Sequence, residues 1–274
     1  ASDVYKRQAL YSNTTGTGNL AVGHCSLFAS VTSNNNVAVG DETIRNNTTG
    51  YSNVALGAHA LIVNTEGNNN TAIGTETLKG NTFGACNIGI GTEALRTNST
   101  GESNIAIGVN AMYSNTIGNN NVALGLVALC KNTEGVDNVA IGANSSKANT
   151  TGNYNAAIGR YTLADNTDGD YNQAMGYLAL RHNIDGCHNT GIGYGALACN
   201  KSGHQNVALG CNSLYKANSG DNNFAVGDCS LYNNYQGCNN VAIGQQALYS
   251  NTTGDNNISL GMKSGRYLGD GSTE

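Results

Sequence analysis

Eight cysteines and five histidines are the side chains of this chain best suited to metal binding, cross-linking or nucleophilic chemistry. Any of those uses needs unlike groups to converge at one place. Cys25, Cys86, Cys130, Cys187, Cys199, Cys211, Cys229 and Cys238 contain no Cys-x-x-Cys pair, so neither a zinc site nor a disulfide framework is expected. His24, His59, His182, His188 and His204 are spread as irregularly, and loop variation accounts for the nearness of His182 to His188. Gly89-Ile-Gly91 and Gly191-Ile-Gly193 imitate part of a dinucleotide fingerprint, but no helix pattern follows either. Glu66, Glu134, Asp168 and Asp185 do not build the Asp-bearing nonapeptide that a calcium-binding roll repeats in each turn. No catalytic, cofactor-binding or metal-ligating residue is therefore expected, and the chain reads as a non-enzyme.

What would have to position any site is a repeat. The pattern Asn-x-small-aliphatic-Gly begins at Asn19, Asn36, Asn53, Asn70, Asn87, Asn104, Asn121, Asn138, Asn155, Asn172, Asn189, Asn206, Asn223, Asn240 and Asn257, always 17 residues apart. Counting slots from that Asn, slot three is Ala, Gly or Ser and slot four is large and apolar, as in Val22, Ile73 and Leu260. Slot five is always Gly, and slot eight is small or Thr. Slot nine is Leu, Ile or Met except at Ser146 and Gly265. Slot twelve is usually Asn, and slot fifteen is Gly in every copy but the first, where Ser33 stands. The eight cysteines fall in six different slots, and no Cys column stacks on consecutive copies.

These regularities predict an all-β fold, a parallel β-solenoid of about fifteen 17-residue coils. Two Gly and several Asn per coil would cost a helix roughly 1 kcal/mol for each Gly. The complete absence of Pro suits an unbroken ladder. Two short strands per coil are expected, over slots two to four and seven to ten. The two glycines are expected to serve turns with positive φ or close backbone approach. Stacked coils put equivalent residues about 4.8 Å apart, so the slot-one Asn amides can bond along the stack as a structural ladder, and the array should form a rod of roughly 70 Å.

Composition narrows the functional classes. Net charge is −5 with only 11% charged residues, a balance that disfavours nucleic acid and anionic membrane as partners. No stretch approaches ~18 consecutive apolar residues, so no membrane insertion is expected. Small and large apolar residues occupy opposite strand faces, so one face should line the coil interior and the other should pack against a second protomer. Slot ten carries Tyr113, Tyr215, Tyr232 and Tyr249 among Arg45, Lys79, Arg96 and Arg181, and these four tyrosines are the candidate surface-binding residues for a carbohydrate or protein receptor. An alternative is an ice- or small-ligand-binding solenoid, suggested by the slot-thirteen rank Thr48, Thr65, Thr82, Thr116, Thr133, Thr150 and Thr167.

The stretch Asn-x-Val-Ala-Ile-Gly-x-x-Ala resembles the head repeat of YadA-like trimeric autotransporter adhesins, with three extra residues in the loop holding Asn-Thr-Thr-Gly. The 17-residue form, as in Asn53-Val-Ala-Leu-Gly57 to Gly67, is also similar to stalk repeats of bacteriophage tail fibres. That resemblance implies a left-handed β-roll, a homotrimer, and attachment to a host surface from a virion tail fibre or a bacterial cell surface. Asp3-Val-Tyr-Lys-Arg-Gln8 is similar to a translated sequencing adaptor, as in metagenomic fragments. The expected organisation is a non-native leader over 1–8, one repeat array over 9–268 and a truncated tail over 269–274.

Overall fold

The computed structural model describes residues 8–267, so the leader expected over 1–8 (Gln8 apart) and the tail expected over 269–274 lie outside the described residues. The chain divides into two compact units, one up to Val136 and one from Asp137. Each is a parallel β-solenoid. The first holds β1 (Leu20–Val22), β2 (Val37–Val39), β3 (Val54–Leu56), β4 (Thr71–Ile73), β5 (Ile88–Ile90), β6 (Ile105–Ile107) and β7 (Val122–Leu124). The second holds β8 (Val139–Ile141), β9 (Ala156–Ile158), β10 (Gln173–Met175), β11 (Thr190–Ile192), β12 (Val207–Leu209), β13 (Phe224–Val226), β14 (Val241–Ile243) and β15 (Ile258–Leu260). Within each unit, successive strands pair in parallel with a shift of one repeat, so Val54 faces Thr71 and Val207 faces Phe224. Among the described residues there is no helix.

The expected second strand over slots seven to ten is not formed. Those residues do bond coil to coil, as in Glu42 N–H to His24 C=O at 2.8 Å and Leu27 N–H to Thr43 C=O at 3.0 Å. Their backbone is nevertheless a run of turns, because slots seven and nine are left-handed (Glu76 φ 57°, Leu78 φ 52°). A left-handed residue breaks the two-residue alternation of a strand. Slots eight and nine therefore do not face opposite ways. Thr77 and Leu78, like Ala94 and Leu95, are both buried.

That geometry decides what the coil encloses. The interior is a column of slot-three alanines opposite a column of slot-nine leucines, from Leu27 and Ile44 through Leu129 in the first unit and from Leu163 to Leu248 in the second. Left-handed backbone costs a non-glycine residue roughly 1–2 kcal/mol. Full burial of a Leu side chain offsets this with about 1.5–3 kcal/mol. The repeat thus accepts local strain to aim its largest side chain inward.

Two asparagine columns flank that core, and all members of the predicted slot-one ladder stand at its strand entrances. In the first unit, Asn70 N–H donates to Asn53 Oδ1 at 3.0 Å, and Asn70 Nδ2 donates to the slot-fifteen carbonyl of Gly84 at 2.9 Å. The second unit repeats this with Asn189 N–H to Asn172 Oδ1 at 3.0 Å and Asn189 Nδ2 to Gly203 C=O at 2.7 Å. Slot twelve runs a second column, in which Asn81 Nδ2 donates to Asn64 Oδ1 at 2.8 Å and to Gly84 C=O at 2.9 Å. One glycine carbonyl therefore accepts from both columns. The slot-fifteen Gly owes its place to this crowding and not to positive φ. A Cβ on Gly84 would lie 2.5 Å from Gly101 C=O and 2.8 Å from Asn98 Nδ2, whereas positive φ belongs to slot five, as at Gly108 (φ 137°).

Candidate functional site

Three ranks of side chains reach the surface. The first is the strand face. With slot three turned inward, slots two and four turn outward in every strand, so the large aliphatic of slot four lies outside the coil. Ile107 is 40% exposed in the first unit, and Met175, Ile192 and Ile243 are 48%, 42% and 40% exposed in the second. Val37, Val54, Ile88, Ile105 and Val122 stand half-buried beside them at slot two. Each unit therefore presents a ribbed apolar sheet to its surroundings. The sequence required two differently restricted faces; the coordinates assign the small residues to the interior.

The second rank is the edge formed by slots seven, ten and eleven. In the first unit it is an ion-pair network. Glu76 receives Lys79 Nζ at 2.8 Å and Arg96 Nε at 2.8 Å, and Glu42 pairs with Arg45 at 3.3 Å. Hydrogen bonds from Lys79 and then Arg96 hold the Glu76 carboxyl at about 2, well below the usual carboxylate range. Tyr113, the candidate of this unit, takes Arg96 over its ring at 5.4 Å and accepts a hydrogen bond from Arg96 Nη1 at 2.8 Å. In the second unit the other three candidates come together. Tyr215 and Tyr232 stack at 5.3 Å, and Tyr232 and Tyr249 at 5.2 Å, with rings within 11° of parallel. Tyr113 is not part of that column.

The third rank was not anticipated. Slot seventeen carries Tyr154, Tyr171 and His188, stacked at 4.8 and 4.9 Å and exposed. The 17-residue spacing of Tyr154, Tyr171 and His188 was visible in the sequence, but the slot is otherwise mostly Asn and Ser, with Cys86, Asp137 and Gln205 among them, and signals nothing by itself.

Other expected features resolve into structural roles. The slot-thirteen hydroxyls of Thr48, Thr65, Thr82, Thr116, Thr150 and Thr167 donate to the backbone of the following coil, as in Thr65 Oγ1 to Thr82 C=O at 3.1 Å and Thr116 Oγ1 to Thr133 C=O at 2.9 Å. Their single protons are thus spent within the coil stack and not presented to ordered water or a small ligand. Cys229 is poorly suited to nucleophilic work, since burial and the neighbouring Asp228 charge push its thiol up to about 11. One group of metal-ligand type does converge, against the sequence expectation: His24, Cys25 and Glu42 bring ligand atoms within 4.8 Å of one another. Cys25 is fully buried, His24 Nε2 lies 3.6 Å from its Sγ, and His24 Nδ1 bonds Asp41 at 2.9 Å. No helix of the described residues is long and apolar enough to cross a membrane. No family model matches the chain, and no curated protein matches it.

Proposed function

We propose that this chain is a non-catalytic structural and adhesive segment, part of a phage tail fibre or of a surface adhesin head, that supports attachment to a host surface as a homotrimer. The outward aliphatic strand face carries this reading. A monomer in water gains nothing from a continuous rank of exposed Val, Ile and Leu on a flat sheet, and large contiguous apolar patches mark association surfaces. A second and third copy are the fitting occupants, because an identical chain offers identical ribs at an identical coil spacing. The resemblance to trimeric adhesin heads points the same way. The coil interior is too thin to enclose a substrate, being filled by Ala, Leu and Asn, and its polar residues are engaged in ladder bonds.

Sedimentation equilibrium of the full chain tests this. The expected species has three times the 28.2 kDa chain mass, and the paired substitutions Ile107→Asp and Ile192→Asp, one on each unit's face, should shift it to single chains with an unchanged β-type circular dichroism spectrum. A compact wild-type species at the mass of one chain would overturn the proposal.

A further inference from the structure

Slots six and seven of two adjacent coils in the first unit bring four metal-chemistry side chains together. His24 and Cys25 occupy these slots in one coil, and Asp41 and Glu42 occupy them in the next. Main-chain bonds fix the stacking: Gly40 N–H donates to Val22 C=O and Glu42 N–H to His24 C=O, both at 2.8 Å. Cys25 and Glu42 share the left-handed backbone of slot seven (φ 53° and 49°), so their side chains leave equivalent points one coil apart. Ligand atoms of His24, Cys25 and Glu42 all lie within 4.8 Å of one another. The sequence hides this group, because Cys25 and Glu42 are 17 residues apart and no Cys-x-x-Cys is involved.

The spacing within the group is that of a coordination shell. His24 Nε2 lies 3.6 Å from Cys25 Sγ. Zinc–sulfur and zinc–nitrogen bonds of about 2.3 and 2.0–2.1 Å, meeting at a tetrahedral angle, hold their donors about 3.6 Å apart. A thiol–imidazole hydrogen bond has the same reach, but two further observations favour an ion. First, His24 Nδ1 is held by Asp41 Oδ1 at 2.9 Å. Facing a carboxylate, Nδ1 carries the ring proton and leaves Nε2 its lone pair, which is how outer-shell carboxylates orient ligand histidines. Second, Glu42 adds a third donor. Its Oε1 pairs with Arg45 Nη1 at 3.3 Å, and the carboxylate has a second oxygen to offer. Further along slot seven, Glu76 is already claimed by Lys79 and Arg96 at 2.8 Å each, so His59, 3.9 Å from it, belongs to no comparable set. Full burial closes the Cys25 sulfur to a substrate-sized electrophile, whereas a single ion can enter past the exposed His24 ring. One thiolate, one imidazole and one carboxylate suit zinc and its neighbours, not the all-oxygen shells of calcium or magnesium.

We propose that His24 Nε2, Cys25 Sγ and a Glu42 carboxylate oxygen bind a zinc-class divalent ion, with Asp41 orienting the histidine and water completing the shell. On binding, the Cys25 thiol proton passes to solvent and the thiolate takes the metal. The ion clips two coils together, since His24 and Cys25 lie on one and Glu42 on the next. Titration of the reduced full chain with cobalt(II), a coloured substitute for zinc, tests the site. One equivalent should bind with a sulfur-to-cobalt charge-transfer band, which zinc should bleach. Zinc should also raise the thermal midpoint, as a ligand of the folded state does. Cys25→Ser should abolish the band, and Glu42→Gln and Asp41→Asn should each weaken cobalt binding about tenfold or more. Cys229→Ser, in the second unit, should change neither band nor affinity. Circular dichroism reads the folding of each variant, and the two carboxylate variants, at partly exposed side chains, decide the matter should Cys25→Ser not fold. Absence of the band, a band that survives Cys25→Ser, or an unchanged affinity in either carboxylate variant would overturn the assignment.

Discussion

At the scale of single residues, the side-chain amide is the group on which this fold turns. A slot-one Asn accepts the next coil's backbone N–H and donates to a glycine carbonyl, so it pairs main-chain groups that a tight turn would otherwise bury unpaired. Asn70 illustrates the consequence: replacement by Ala removes the acceptor for Asn87 N–H and the donor to Gly84 C=O together. Gly84 C=O keeps Asn81 Nδ2 as a donor, but Asn87 N–H is left a buried orphan at a cost of about 1–3 kcal/mol, so Asn70→Ala should destabilise the chain by that amount in urea unfolding. A natural defect supplies the reverse experiment. In the slot-twelve column Ala217 replaces Asn, and Asn200 Oδ1 is buried without a partner. Ala217→Asn should supply that donor and stabilise by about 1 kcal/mol. If Asn70→Ala were silent, or Ala217→Asn destabilising, the columns would not be what joins the coils.

At the scale of one coil, each 17-residue unit is a three-residue strand, a left-handed turn run and a loop pinned by two amides. Parallel stacking, the one-repeat register and the strand of slots two to four were legible in the sequence because they follow from exact periodicity and a two-residue alternation. Slots seven to ten misled because Leu and a small neighbour there mimic the strand pattern. The left-handed backbone at Leu78 or Leu95 leaves no sign in residue type, since Leu ordinarily avoids it. Glycine was similarly half-legible. Its recurrence at slot fifteen in every copy but the first showed that a side chain is disfavoured there, but crowding and positive φ leave the same signature. Crowding makes a prediction of its own. A Cβ on Gly67 would press on Asn64 Oδ1 and lie 2.5 Å from Gly84 C=O and 2.7 Å from Asn81 Nδ2, three atoms fixed by the columns. Gly67→Ala should therefore lower the thermal midpoint by several degrees, consistent with overpacking of about 1–3 kcal/mol. An Ala variant as stable as the parent, as a φ-compatible Gly→Ala exchange can be, would show that the carbonyl–amide junction is looser than described.

At the scale of the whole molecule, the repeat supplies uniform spacing and leaves function to the slots that face outward. The surface ranks are built on this principle: apolar ribs on the strand face, aromatic stacks at slots ten and seventeen, and charge at slots seven and ten. The tyrosine candidates could be named from the sequence, but their grouping could not, because it depends on three consecutive copies in one unit sharing a slot while Tyr113 stands in the other. All of these surfaces depend on equivalent residues of successive coils lying directly over one another. The most direct measurement is a nuclear Overhauser spectrum of the chain labelled at asparagine. The side-chain amide protons of Asn87, Asn104 and Asn121 should each show contacts to the asparagine 17 residues earlier and exchange slowly with solvent. Rapidly exchanging asparagine amides with contacts only to sequence neighbours would contradict the stacked-coil account.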